Sequence, residues 1–188
     1  MSDENGTVYR FRDTDDTGWE EYDISGEDYS ELIDICLRYC CTFSFEVTRY
    51  LSVYNDLLEE FDGAFIRTRF VDVDTEARFY ELTQEVAEGL KKVSDSIFSW
   101  SYPKIGAENL TFYREDGSVF LESVTHDGIC DIFPESGEDV SSIISRGVWE
   151  KDPKPVTFDF TPKSSEWIEQ YNRELLRIKE EKNKNDSK

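Results

Sequence analysis

The groups with which this 188-residue chain could do chemistry are four cysteines, one histidine and 42 acidic residues. Cys36 and Cys40 stand at i, i+4, a spacing that puts two thiols on one helical face as a zinc site would. No second pair at ligand spacing accompanies them, and both fall on an apolar stripe, where free cysteines pack as small hydrophobes. His126 precedes Cys130 by four residues across a tight turn, but a two-residue turn at Asp127-Gly128 would set His126 opposite Ile129 and Thr125 opposite Cys130, which puts the two side chains on opposite faces. The carboxylate pairs Glu20-Glu21, Glu59-Glu60 and Glu138-Asp139 have no neighbour that would raise one pKa over the other, as acid–base work requires. Asp72, Asp74 and Glu76 could hold a divalent cation, although a turn between two strands accounts for them equally. Asp13 to Gly18 imitates the opening of a calcium loop, but position 12, where a bidentate Glu should close the site, is Ile24. There is no glycine-rich phosphate cradle, no nucleophile elbow and no His-Glu-x-x-His helix. These absences predict a non-catalytic protein with no cofactor and no metal.

Charge is the most unusual property of the composition. The 42 acids face 21 bases for a net charge of −21, and residues 1–62 alone carry −13. Such a field repels nucleic acid and anionic membrane and speeds association with a basic partner. No stretch approaches the roughly 20 apolar residues of a membrane helix, and Met-Ser-Asp-Glu-Asn-Gly lacks the pattern of a secretion signal. With four cysteines that look reduced, the expected compartment is the cytoplasm. A chain of this length, 14% aromatic, can bury a core without disulfides, so one domain over 7–178 is expected, with a disordered start at 1–6 and a charged, fraying tail at 179–188.

The elements that must position these groups centre on 109–133. Asp116-Gly117 and Asp127-Gly128, each flanked by β-branched and aromatic residues, predict two tight type I′ hairpins and a three-stranded meander over 110–133. Two-residue turns would set Tyr113 opposite Phe120, Phe112 opposite Leu121, Thr125 opposite Cys130 and Ser123 opposite Ile132. One face then collects Leu110, Phe112, Val119, Leu121, Cys130 and Ile132 as a core. Upstream, Ser25-Gly26-Glu27-Asp28 resembles a capping box, and Tyr29, Leu32, Ile33, Cys36, Leu37 and Cys40 recur at helical spacing. Thr7–Arg12, Phe43–Val47, Ala64–Val73 and Ala77–Leu82 read as strands, and Leu51–Phe61 as a short helix. Thr83 can cap a helix whose Val86, Leu90, Val93 and Ile97 share a stripe and which ends near Trp100. Val140–Ser145 is a short helical stretch, Pro155–Pro162 an extended segment, and a terminal helix begins at Ser164 or Ser165 and runs to 178.

Ser96-Ile-Phe-Ser-Trp100-Ser-Tyr-Pro103, the Asn109–Gly117 stretch and His126 are similar to a family of small bacterial proteins labelled stage III sporulation protein AH, found mainly in Gram-positive genomes. The helix-to-strand switch at Cys41–Phe45 resembles it too. The similarity spans residues 25–135 and rests on a Trp, a Pro and a hairpin. It implies a shared fold and brings no catalytic residue with it.

The expected architecture is α+β: a mixed or antiparallel sheet centred on the meander, covered on its apolar face by two main helices at 26–41 and 83–98, with the C-terminal helix 164–178 at the periphery. The expected role is that of an acidic intracellular binding protein, an immunity or inhibitor protein that neutralises a basic protein such as a toxin nuclease. Asp15, Asp16, Glu20, Glu21, Asp23, Glu27 and Asp28 are its candidate interface. Two other classes fit the composition: a divalent-metal enzyme built on Asp72, Asp74 and Glu76 or on Asp13 and Asp15, and a regulatory interaction module with another partner. Oligomeric state is left open.

Overall fold

The computed structural model describes residues 6–13, 22–48, 55–72, 74–101 and 105–153, with 55 and 56 given by their backbone alone. Residues with alternating apolar side chains pair into strands throughout this range. The strands are β1 (Tyr9–Arg12), β2 (Thr42–Thr48), β3 (Phe65–Phe70), β4 (Thr75–Glu81), β5 (Glu108–Tyr113), β6 (Val119–Val124), β7 (Ile129–Ile132) and β8 (Trp149–Lys151). They form one eight-stranded sheet in the order β3-β4-β2-β5-β6-β7-β1-β8, and every pairing is antiparallel.

This corrects the expected architecture. The meander at 110–133 is the middle of a much wider sheet, and the sheet carries the fold. Four short helices accompany it among the described residues: α1 (Glu27–Tyr39), α2 (Asn55–Glu60), α3 (Gln84–Val93) and α4 (Ser141–Ile144). The physical reason is edge pairing. Strand backbones left unpaired at either side of a three-stranded meander would lose their hydrogen bonds, and β2 on one side and β1 on the other supply them. The expected helix over 83–98 also stops early. Ser94 is extended, and its hydroxyl donates to the Ser96 carbonyl at 2.7 Å, which turns the chain so that Ile97 and Trp100 enter the core from a loop. The segments expected at 155–162 and 164–178, and residues 51–54 of the expected 51–61 helix, lie outside the described residues.

Both hairpins differ from type I′. In the first, the Gly117 amide donates to the Arg114 carbonyl and the Arg114 amide to the Ser118 carbonyl, with Gly117 at φ +85°. This is a three-residue loop ending in a left-handed glycine, and it shifts the pairing so that Tyr113 faces Val119 and Phe120 is the extra residue of a bulge. In the second, Thr125–Asp127 forms a 3₁₀ turn closed by Gly128 at φ +61°, and Ser123 faces Cys130. That register differs from the expected one by two residues, so Cys130 and Ile132 still face the core.

Reading across the strands gives two adjacent rows. Phe65, Tyr80, Phe43, Phe112, Leu121, Ile132, Tyr9 and Lys151 stand opposite one another in succession from β3 to β8. From Tyr80 to Ile132 this row is fully buried, and rings stack along it, Phe43 on Tyr80 at 5.3 Å and Phe43 on Phe112 at 6.0 Å. α1 buries Tyr29, Leu32, Ile33, Ile35 and Cys36 in the same core. The neighbouring row runs Arg67, Phe79, Ser44, Thr111, Glu122, Asp131, Arg10 and Glu150. Alternation sends it to the opposite face, which is therefore polar.

Candidate binding cleft and the polar face of the sheet

Of the seven acidic residues expected to form an interface, Asp15, Asp16, Glu20 and Glu21 lie outside the described residues. Asp23, Glu27 and Asp28 are described, and they gather where the chain enters α1. The Gly26 amide donates to the Asp95 carbonyl at 2.7 Å, and the Ile97 amide to the Ile24 carbonyl at 3.1 Å. Ser96 fixes the side chain of Asp23: its hydroxyl donates to Asp23 Oδ1 at 2.8 Å and accepts from the amides of Phe98 and Ser99 at 3.2 Å. The expected capping box is not formed. Gly26 occupies the N-cap, and Asp28 turns to Arg146, whose Nη1 lies 3.2 Å from it while Nη2 reaches Glu31 at 2.7 Å. Glu27 is exposed.

Asp23, Asp28 and Arg146 edge a cleft of about 280 Å³ whose walls include Phe11, Tyr22 and Trp149, with Glu27 just outside its lining. β1 and β8 build the aromatic wall, since Phe11 pairs with Trp149 and their rings meet edge-on at 5.3 Å. Gly147 makes room for this seat, because a Cβ there would come within 2.9 Å of Trp149 Nε1. Carboxylates beside ring faces suit a cationic side chain, which gains both the ion pair and the quadrupole attraction of the rings. Arg146 already makes the ion pair with Asp28 from within the molecule.

The polar face holds a second concentration of charge. Arg10 grips Asp131 with two bonds, Nε to Oδ1 at 2.7 Å and Nη2 to Oδ2 at 2.5 Å, and Asp131 is buried. Glu122 stands directly across from Asp131. Burial and the Asp131 charge push the Glu122 carboxyl up, against the pull of Arg10. Farther along, Glu46 accepts from Asn109 Nδ2 at 2.9 Å, and burial still raises its carboxyl. Asn109 is one of two described non-glycine residues at positive φ, and it is locked there by reciprocal bonds with Thr125. Charge order alone could not have shown this arrangement, because Arg10 and Asp131 are 121 residues apart.

The remaining candidates are dispersed. Glu76 lies beside Arg78 Nε at 2.7 Å, the Asp72 amide closes the β3–β4 turn onto the Thr75 carbonyl, and no group of three metal-ligating side chains occurs among the described residues. Asp13 extends the β1–β7 pairing through its amide to the Gly128 carbonyl, and Asp15 lies outside the described residues. Cys36 and Cys130 are buried, and burial pushes both thiols up; burial lifts Cys40 to about 12. His126 is exposed, beside Asp127. No helix among the described residues is long and apolar enough to cross a membrane. No protein-family model, curated protein or solved structure matches the chain.

Proposed function

We propose that this chain is a non-catalytic, cytoplasmic binding protein whose acidic N-terminal third holds a basic protein partner, and that it serves as an immunity or inhibitor protein against such a partner, a toxin nuclease being the class its charge suits. The observation that carries this reading is the cleft at the start of α1. There Asp23 and Asp28 stand beside the rings of Phe11, Tyr22 and Trp149, in the region that holds −13 of the net charge of −21. An arginine or lysine of the partner would find a carboxylate and an aromatic wall together, and the surrounding field would steer its approach.

The test is capture of partners by the tagged, full-length protein from lysate of its native cell, in low and moderate salt, beside an Asp23→Lys/Glu27→Lys variant. Asp28 is left intact because it holds Arg146. The reading expects one basic protein, retained near stoichiometry, released as salt rises and lost in the variant, with an association rate that falls and depends less on salt. Retention that ignores both salt and the two substitutions would place the interface elsewhere and overturn it.

A further inference from the structure

At the other end of the sheet, β3 has a partner on one side only among the described residues. All six of its residues are exposed. Phe65 is 43% exposed, Ile66 51% and, just beyond the strand, Val71 48%. An exposed apolar edge of this length is what folded proteins shorten, cover or charge, because its free amides and carbonyls accept another strand. The pairing shows which groups point away from β4. The Val71 amide donates to the Thr75 carbonyl, and Arg69 and Arg67 stand opposite Ala77 and Phe79 in the same register. Bonded residues alternate along an antiparallel pair, so Arg67 and Arg69 bond toward β4 and Thr68 presents its amide and carbonyl outward.

The charge on this edge is opposite to that of the chain. Arg67 and Arg69 project on the polar face, their guanidinium carbons 4.7 and 5.6 Å from the centre of the Phe79 ring. Arg69 acts electrostatically on Glu46, and neither arginine makes an ion pair among the described residues. A second copy of the chain is a poor occupant: symmetric pairing about Thr68 would set Arg67 against the Arg69 of the other copy and repel. We propose that β3 is a docking edge for an extended segment of a partner protein, added as a ninth strand, with carboxylates two residues apart opposite Arg67 and Arg69 and apolar residues between them. Main-chain bonds to Thr68 supply affinity and the arginines select the sequence. This surface is separate from the cleft at α1 and does not depend on how that cleft is used.

The probe is an octapeptide of alternating Glu and Val, compared with its Lys and Val counterpart, titrated into the full chain by fluorescence anisotropy with hydrogen exchange read at the β3 amides. The acidic peptide is expected to bind roughly tenfold more tightly than the basic one and to slow exchange at Thr68. Thr68→Pro removes an outward amide while sparing the bonds to β4, and should abolish binding with little change in melting temperature. Arg67→Glu/Arg69→Glu should reverse the preference, which tests the edge independently should the proline variant fail to fold. No binding of the acidic peptide, or equal binding of both peptides, overturns the proposal. So does concentration-dependent dimerisation that Thr68→Pro abolishes, since the edge would then belong to a second copy.

Discussion

Glu122 and Asp131 face each other directly across β6 and β7, and Arg10 donates two hydrogen bonds to Asp131. Two carboxylates at cross-strand distance repel unless one is neutralised or protonated. Here the arginine settles Asp131 and leaves Glu122 to hold its proton more firmly than usual, through burial and the neighbouring charge.

A pH dependence follows from that pair. Because the folded-state pKa of Glu122 is raised, the native state binds more protons than the unfolded chain in the window above the ordinary value of 4.5. The contribution of Glu122 to stability is therefore present at low pH and is lost as pH rises through that window. Glu122→Gln should raise the melting temperature relative to the parent at pH 7 and leave it unchanged at pH 4. An equal effect at both values would remove the charge argument.

Arg114 gives the opposite sign. It donates to Glu138 through Nε at 2.7 Å and Nη2 at 2.6 Å, to the Val119 and Phe133 carbonyls, and lies 5.2 Å from the Phe120 ring centre. Burial opposes ionisation of Glu138, and the Arg114 bonds together with the Glu135 amide outweigh it, holding this carboxyl below its ordinary 4.5. The stabilisation is complete above that value and fades as pH falls through the folded-state pKa. Arg114→Met should cost about 3 kcal/mol in urea unfolding at pH 7, since it strands a half-enclosed carboxylate and two carbonyls. Glu138→Gln should cost roughly 1 kcal/mol and flatten the acid limb. A loss that is the same at pH 7 and pH 3 would show that packing, and not the ion pair, is what Arg114 contributes.

How much of this was legible depends on the range of the interaction. The stripe from Tyr29 to Cys36 announces a helix because its period is local, and Phe43, Phe45 and Val47 announce a strand for the same reason. The Asp-Gly pairs mark both reversals but not their geometry: Asp116 accepts from the Ser118 amide and hydroxyl, which favours the longer loop. The breadth of the sheet was not legible, because it depends on β1 finding β7 and β4 finding β2. The cleft likewise needs Arg146 beside Asp28, 118 residues away. The edge at β3 could have been suspected from Phe65, Ile66, Phe70 and Val71 bracketing two arginines, but exposure alone distinguishes it from a buried strand.

Two glycines at positive φ should respond differently to alanine. At Gly117 a Cβ would meet nothing within 4 Å, whereas at Gly128 it would lie 2.0 Å from the Asp13 carboxyl. Gly117→Ala should therefore cost about 1 kcal/mol, the left-handed strain alone. Gly128→Ala adds displacement of Asp13 at the end of the β1–β7 pairing, and about 2–3 kcal/mol is expected. Chemical denaturation of the two variants side by side decides it, and equal losses would mean that Asp13 moves freely.

The last prediction concerns the bond that joins α1 to the loop after α3. Trp100 and Tyr29 are both fully buried; the indole Nε1 donates to the Tyr29 hydroxyl at 2.9 Å, and that hydroxyl donates to the Leu90 carbonyl at 3.3 Å. Burial holds the Tyr29 proton on at any physiological pH. Leu90 also accepts from the Ser94 amide, so removing the hydroxyl leaves its carbonyl satisfied and strands the indole N–H alone. Tyr29→Phe should cost about 1–3 kcal/mol in the parent, the penalty of a buried donor without an acceptor. In a Trp100→Phe background no donor is stranded, so the same change should cost roughly 1 kcal/mol less. A double-mutant cycle by urea unfolding measures that difference, and additive losses would show that the two rings contribute by packing alone.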